Sequence, residues 1–335
     1  MSAPIECNGV MFIGDPHVSS RKPGRRKDEN FGATVIGKIR FLLDYCNERK
    51  LVPAFLGDMF DTPYEPDEAL KTKLLRTLKT SWTTPLANVG NHDIKSAVLT
   101  DGDSLSYLVE AGALRLNAYA GALAILKVGE KTWGIGATPY GQDFPEDARH
   151  FFAPMDMIVW LTHHDLAFED AYPGSQPLPS IKGCKLVVNG HMHLRKKTKK
   201  VGETVVFNPG NITRQFMDAI EHDPAAFVLT AEGKLEKVMI AHERAIFDLT
   251  GQLIHAISPG EVKAAKLKED ETAESAAESA FITMLTADSA MEMGQSDDGS
   301  IIREEVMHKL ERERSPDDVR DYILGLLDKT VAKAA

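Results

Sequence analysis

The sequence predicts an α/β protein with a smaller, mainly helical accessory region at its carboxyl end. Five short apolar runs, VMFI (10–13), VPAFL (52–56), LANV (86–89), MIVWL (157–161) and LVV (186–188), have the length and unbroken hydrophobicity of strands buried on both faces. Helix-length segments separate the early runs, and strand–helix alternation indicates an α/β core. Near residue 246 the composition shifts, and 261–298 is rich in Ala, Glu, Asp and Ser.

In chain order, ATVIGKIRFLLDYCNERK (33–50) repeats apolar residues at helical spacing: Val35, Ile36, Ile39, Leu42, Leu43 and Cys46. PDEALKTKLLRTLKT (66–80) does so through Leu70, Leu74, Leu75 and Leu78. Residues 121–138 and 204–240 read as β-rich, with hairpin breaks at Gly129 and at EGK (232–234). Beyond 245, KLKEDETAESAAES (266–279) fits either a linker or a solvated helix face. The last segment, 315–334, reads as a helix. Ser315 suits its N-cap, Pro316 its first position, and Asp317 and Asp318 its positive end. Val319, Tyr322, Ile323, Leu326, Leu327 and Val331 form one apolar stripe. The expected division is 1–245 for a main domain and 246–335 for the accessory region.

With 335 residues, 43% of them apolar, the chain is long enough for a sizeable core. A formal net charge of −10 argues against coating nucleic acid by overall charge, although local basic patches remain able to bind it. Cys7, Cys46 and Cys184 are far apart and form no C-x-x-C pair, which fits buried thiols in a reducing compartment. The amino terminus lacks the pattern of a secretory leader, and no apolar run approaches the roughly 20 residues of a membrane span. A cytoplasmic, membrane-free protein is the expectation.

Each apolar run stops in residues that bind hard or borderline metals. The first ends in GDPH, with Asp15 and His17, and the second in GDMFD, with Asp58 and Asp61. The third ends in GNHD, with Asn91 and His92, the fourth in THHD, with His163 and His164, and the fifth in GHMH, with His191 and His193. Six of the eleven histidines lie in these five places, and ligands of α/β proteins bind at the carboxyl ends of strands. A lone motif of this kind is more often a turn, and a lone buried histidine more often a satisfied core residue. Five in this order are hard to ascribe to chance. Mixed oxygen and nitrogen ligands without thiolate suit Mn²⁺, Fe or Zn²⁺.

The set resembles the calcineurin-like metallophosphoesterase superfamily, whose motifs run D-x-H, G-D-x-x-D, G-N-H-D/E, a histidine and G-H-x-H. The resemblance spans residues 10 to about 245. It implies a β-sandwich flanked by helices and two divalent ions clamping the attacking and leaving oxygens of a phosphoester. It assigns Asp15, His17, Asp58 and His193 to one ion. Asp58 is then shared with the second ion, completed by Asn91, His163 and His191, with His164 the alternative to His163. His92 matches the histidine that donates to the phosphoryl group or leaving oxygen, and Asp61 the carboxylate that orients it.

Basic residues flank two of these motifs. LRKKTKK supplies Arg195, Lys196, Lys197, Lys199 and Lys200, and SSRKPGRRKDEN supplies Arg21, Lys22, Arg25, Arg26 and Lys27. They read either as phosphate grips for a polyanion or as solvated loops. FLGDMFDTPYEP and FNPGNITRQ resemble SbcD-type DNA repair nucleases, which implies DNA as substrate, Mn²⁺ as the ion and Arg214 as a phosphate contact alongside Arg25, Arg26, Lys196 and Lys197. It also implies a coiled-coil ATPase partner of the SbcC type, docked on the last helix; a homodimer is the other assembly considered. THHD departs toward small-substrate phosphatases and cyclic-nucleotide phosphodiesterases, which stand as the alternative. A non-catalytic scaffold on the same fold is the third reading.

Overall fold

The computed structural model describes residues 3–169 and 174–249, together with 306, 307, 310, 320, 321 and 323–325. The expected linker (261–298) lies outside the described residues. So does most of the expected last helix, of which residues 320, 321 and 323–325 are helical. Among the described residues, no helix is long and apolar enough to cross a membrane.

The chain forms two compact units. One comprises Met1–Pro23, Asp28–Gln215 and Glu221–Arg244. The other comprises Gly24–Lys27, Phe216–Ile220 and the described residues from Ala245 onward. In this second unit Met217, Ile246 and Phe247 form a small apolar cluster, and the Arg26 guanidinium lies 5.7 Å from the Phe247 ring centroid.

The first unit is a mixed α/β structure of two sheets with helices packed on it. The strands are β1 (Ile5–Cys7), β2 (Gly9–Ile13), β3 (Val52–Phe55), β4 (Leu86–Ala87), β5 (Gly121–Val128), β6 (Lys131–Thr138), β7 (Met157–Thr162), β8 (Leu186–Asn189), β9 (Lys199–Val201), β10 (Thr204–Phe207), β11 (Ala225–Thr230) and β12 (Leu235–Met239). One sheet runs β1-β5-β6-β7-β8-β10-β9, the other β12-β11-β2-β3-β4. In the first, β6, β7, β8 and β10 are parallel neighbours; in the second, β2, β3 and β4 are. Parallel neighbours deliver their carboxyl ends to one edge, which is why motifs far apart in sequence can meet.

Alternation along the strands sorts side chains into layers. Val10, Phe12, Val52 and Ala54 of one sheet pack with Leu126, Trp133, Val159, Leu161 and Val188 of the other in one continuous core. Met11, Ile13 and Phe55 face the opposite way, onto the helices. Helix α1 (Phe31–Arg49) begins at Asn30, whose side chain accepts from the Ala33 amide. It buries Val35, Ile36, Ile39, Leu42, Leu43 and Cys46, the residues whose spacing predicts it. Helix α2 (Glu68–Leu78) is capped by Asp67 and buries Leu70, Leu74 and Leu78. A third helix, α3 (Ser104–Glu110), is not announced by the sequence, because seven residues are too few to display a period. The hairpin breaks fall at Gly129, between β5 and β6, and at 232–234, between β11 and β12. LANV shortens to two strand residues because Asn88 turns into the site loop, where its Nδ2 donates to the Thr138 carbonyl at 2.9 Å.

Phe12 is completely buried between the sheets. Phe12→Ala removes its ring from a packed interior and should cost about 3–5 kcal/mol, read from the midpoint of chemical denaturation. A cost below about 1 kcal/mol would contradict this description of the core.

Candidate metal centre

The strand ends turn sharply. Four non-glycine residues among those described have positive φ. Three are expected metal ligands: His17 (+49°), Asp58 (+48°) and His191 (+67°). The fourth, Lys50, ends α1. Such backbone is costly for L-residues and persists where surrounding contacts over-determine it. The His17 and Val18 amides donate to the Asp58 and Met59 carbonyls, both at 2.9 Å, locking the first two loops together. The Asp93 carboxylate accepts from the Phe60 amide at 3.2 Å and the Gly90 amide at 2.9 Å, joining the second loop to the third. Burial and the nearby Asp58 charge push the Asp93 carboxyl up to about 7.

All seven expected ligands converge. His17 Nε2 lies 3.0 Å from His193 Nε2 and 3.5 Å from Asp58 Oδ2. On the other side of Asp58, the same Oδ2 lies 3.1 Å from His163 Nε2. That nitrogen is 3.2 Å from Asn91 Oδ1, which is 3.0 Å from His191 Nδ1. Asp15, His17 and His193 form one group with ligand atoms within 4.8 Å of one another, and Asp58, His163 and His191 form a second. An ion with ligands about 2 Å away spans such a group.

The side chains fit cations. Both carboxylate oxygens of Asp15 are buried without a hydrogen-bond partner, an arrangement that is expensive unless a positive charge compensates it. Burial pushes the Asp15 carboxyl up. Burial acts likewise on Asp58, but His163, His92 and His17 outweigh it and hold that carboxyl well below its usual range. Burial alone would lower His163, yet Asp58 and Asp15 carry it up to about 9. His163 Nδ1 lies 3.0 Å from the Leu56 carbonyl, which fixes a proton there and turns Nε2 toward Asp58. His164 is different. Its Nε2 meets the Gln142 carbonyl at 3.0 Å, and burial lowers it to about 4. His163 thus lies in the close group with Asp58 and His191, while His164 packs against Phe144.

Asp61 corrects an expectation. Its carboxylate does not orient His92. It lies 3.3 Å from His17 Nδ1 and accepts from Gln215 Nε2 at 3.0 Å. His92 Nδ1 meets the Asp61 backbone carbonyl instead, at 2.6 Å, and the His92 amide donates to Asp58 Oδ1 at 2.9 Å. Asp61, His17 and His92 also form a close group. The carboxylate contact to His17 Nδ1 makes it a support that leaves His17 Nε2 for the ion. The physical reason is reach: the short Asp61 side chain turns toward His17, leaving only its main chain for His92.

The expected phosphate grips differ in exposure: Arg26 and Arg214 are buried, and Lys197 is exposed. Arg214 is buried, and its Nη2 donates to the Glu243 carbonyl. Arg26 is buried against Phe247. Lys197 and Lys199 pair with Glu169 at 3.6 and 2.9 Å. Lys199 and Lys200 belong to β9, the edge strand beyond β10, where charge discourages pairing with another sheet. Lys196 and Arg25 are partly buried.

Sequence reasoning also missed residues that hold the loops. Asn189, wholly buried, accepts from Thr162 Oγ1 at 2.8 Å and the His164 amide at 3.0 Å. Its Nδ2 donates to the His164 and Gly190 carbonyls. Asn208 donates to the Met192 and Leu194 carbonyls. The chain leaving β6 adds Tyr140, whose amide donates to the Val89 carbonyl at 3.0 Å. Asn189 ends a strand beside GHMH and Asn208 falls in FNPGN, a signal that was available; Tyr140 has none.

No family model matches the chain, and no curated protein does. Among solved structures, an archaeal phosphodiesterase is 12% identical with a TM-score of 0.36, over 69% of this chain and 99% of that one. A 5′-nucleotidase precursor from Thermus thermophilus is 13% identical with a TM-score of 0.41, over 70% of this chain. This chain spans 54% of the nucleotidase's length.

A Cβ at Gly90 would collide with Asp58 Oδ1, and one at Gly57 (φ +121°) with His163 Nδ1. Gly90→Ala should therefore lower the bound metal below the two ions per chain expected of the unaltered protein, measured by elemental analysis, with the far-ultraviolet dichroism unchanged. Full metal content in that variant counts against the role given to Asp58. Asp61→Asn should also reduce metal content, through His17, whereas orientation of His92 alone would leave it intact.

Proposed function

We propose that this chain is a metal-dependent phosphoesterase that hydrolyses phosphodiester bonds. The observation that carries this is the shared position of Asp58, whose Oδ2 is 3.1 Å from His163 Nε2 and 3.5 Å from His17 Nε2. One buried carboxylate thereby joins two groups of nitrogen and oxygen ligands, as a two-ion site with centres about 3.5–4 Å apart requires. Asp15, His17, Asp58 and His193 would hold one ion, and Asp58, Asn91, His163 and His191 the other. The ions would supply Lewis-acid polarisation of the phosphoryl oxygens and neutralise their charge.

The protein groups add the rest. His92 donates its Nδ1 proton to the Asp61 carbonyl, so Nε2, which has no protein partner, is the atom that exchanges a proton with a bound ester. Burial keeps the His92 imidazole below its usual range, so it is neutral before substrate arrives. Asp61 and Gln215 act one step back by holding His17.

We propose DNA as the substrate, Mn²⁺ as the ion, and a cytoplasmic coiled-coil ATPase of the SbcC type as partner; the motifs FLGDMFDT and FNPGNITRQ support this reading. A second reading, a small nucleotide-like diester, is favoured by the burial of Arg26 and Arg214 and the pairing of Lys197 and Lys199 with Glu169.

A panel of linear DNA, a cyclic nucleotide and bis(4-nitrophenyl) phosphate, assayed with Mn²⁺ and with chelator, tests both. Chelation should abolish turnover of every substrate. DNA cleavage supports the nuclease, turnover of the cyclic nucleotide alone the second reading, and no turnover of any refutes the enzyme. His92→Ala should retain two ions yet lose on the order of 10²–10⁴-fold in turnover.

A further inference from the structure

Tyr140 stands beside the candidate metal centre. It follows β6, which is parallel to β7 along Trp133–Thr138, so it leaves the sheet at the edge that delivers His163 and His164. Its ring centroid is 5.7 Å from that of His191 and 6.3 Å from those of His163 and His164. Its relative exposure is 36%, whereas His163 and His164 are buried. An aromatic ring thus backs onto the ligand imidazoles and keeps surface open beside them. Its backbone is fixed by the bond from its amide to Val89, just before the GNHD loop.

A metal-bound phosphate would be satisfied by the ions and His92. What it leaves unrecognised is the esterified group. Among the cations expected to grip a polyanion, Arg26 and Arg214 are buried, and Lys197 faces Glu169. A tyrosine face gains most from a flat, polarisable ring, because offset stacking adds to the area removed from water. Bases stack on such platforms whatever their sequence.

We infer that Tyr140 is a specificity-determining residue that stacks on a nucleobase carried next to the bound phosphate. This deepens the phosphoesterase reading and rests on it. The base belongs either to a free nucleotide or to the end of a strand, and the chemistry of recognition is the same.

The test uses the metal-loaded full chain and calorimetric titration with AMP and with ribose 5-phosphate, which share the phosphate and differ by the base. AMP should bind roughly tenfold or more tighter. Tyr140→Phe should keep that ratio, and Tyr140→Leu should collapse it toward one. The ratio within each variant cancels any general loss of phosphate affinity or metal. Equal affinities in the unaltered protein, or a ratio that survives Tyr140→Leu, overturns the inference. Binding of neither compound removes the phosphate site itself, and with it both readings. A preserved ratio pattern without hydrolysis of any ester supports the inference while refuting the esterase. A short oligoadenylate in place of AMP separates the sources: tighter binding assigns a strand end, weaker binding a free nucleotide.

Discussion

The buried charge of Asp58 is the constraint around which the first unit is arranged. Its carboxylate is 1% exposed, its backbone has φ +48°, and histidines from two different sheets touch it. An isolated carboxylate in that setting would be pushed toward its neutral form. Here imidazoles from either side hold it ionised, whereas the Asp15 carboxyl, buried without a hydrogen-bond partner, is pushed up by burial. In the two-ion reading proposed for this site, divalent metal would complete the charge balance.

Holding that charge requires the two sheets to end at one place. The core between them does this without polar help: Phe12, Val52 and Ala54 interlock with Trp133, Val159 and Val188, and the strands carry their terminal loops with them. The loops are then secured by hydrogen bonds from residues that bind no metal. Asp93 ties the GNHD loop to the GDMFD loop, Asn189 joins the ends of β7 and β8, and Asn208 anchors the loop after GHMH. A cluster of seven candidate ligands would need its positions fixed to a fraction of an ångström, and these hydrogen bonds hold the loops that carry it.

Neighbouring residues of the site take different partners. Asp61 and His92 are close in space but serve different purposes, since the Asp61 side chain supports a ligand while its carbonyl sets the His92 tautomer. The lysines after GHMH divide as well. Two pair with Glu169, and Lys199 and Lys200 protect the edge of the seven-stranded sheet. A charge run next to a candidate site motif is thus compatible with a purely architectural use.

The sequence by itself determined the strands that end at the site, helices α1 and α2 and the set of candidate ligands, but not β1 or β9. Buried strands must be apolar throughout, and an amphipathic helix must repeat at 3.6 residues. Ligand chemistry is written in residue type, so Asp15, His17, Asp58, Asn91, His163, His191 and His193 were legible as a set. Only the tertiary structure decided the partners. The contact from Asp61 to His17 spans 44 positions, that from Gln215 to Asp61 spans 154, and Tyr140 meets His191 across 51. None of these pairs has a local signature, because the distance between side chains is set by sheet order and register. The same holds for Arg26 and Arg214: a basic residue looks equally available in any loop, and only packing shows that its charge is buried and already engaged.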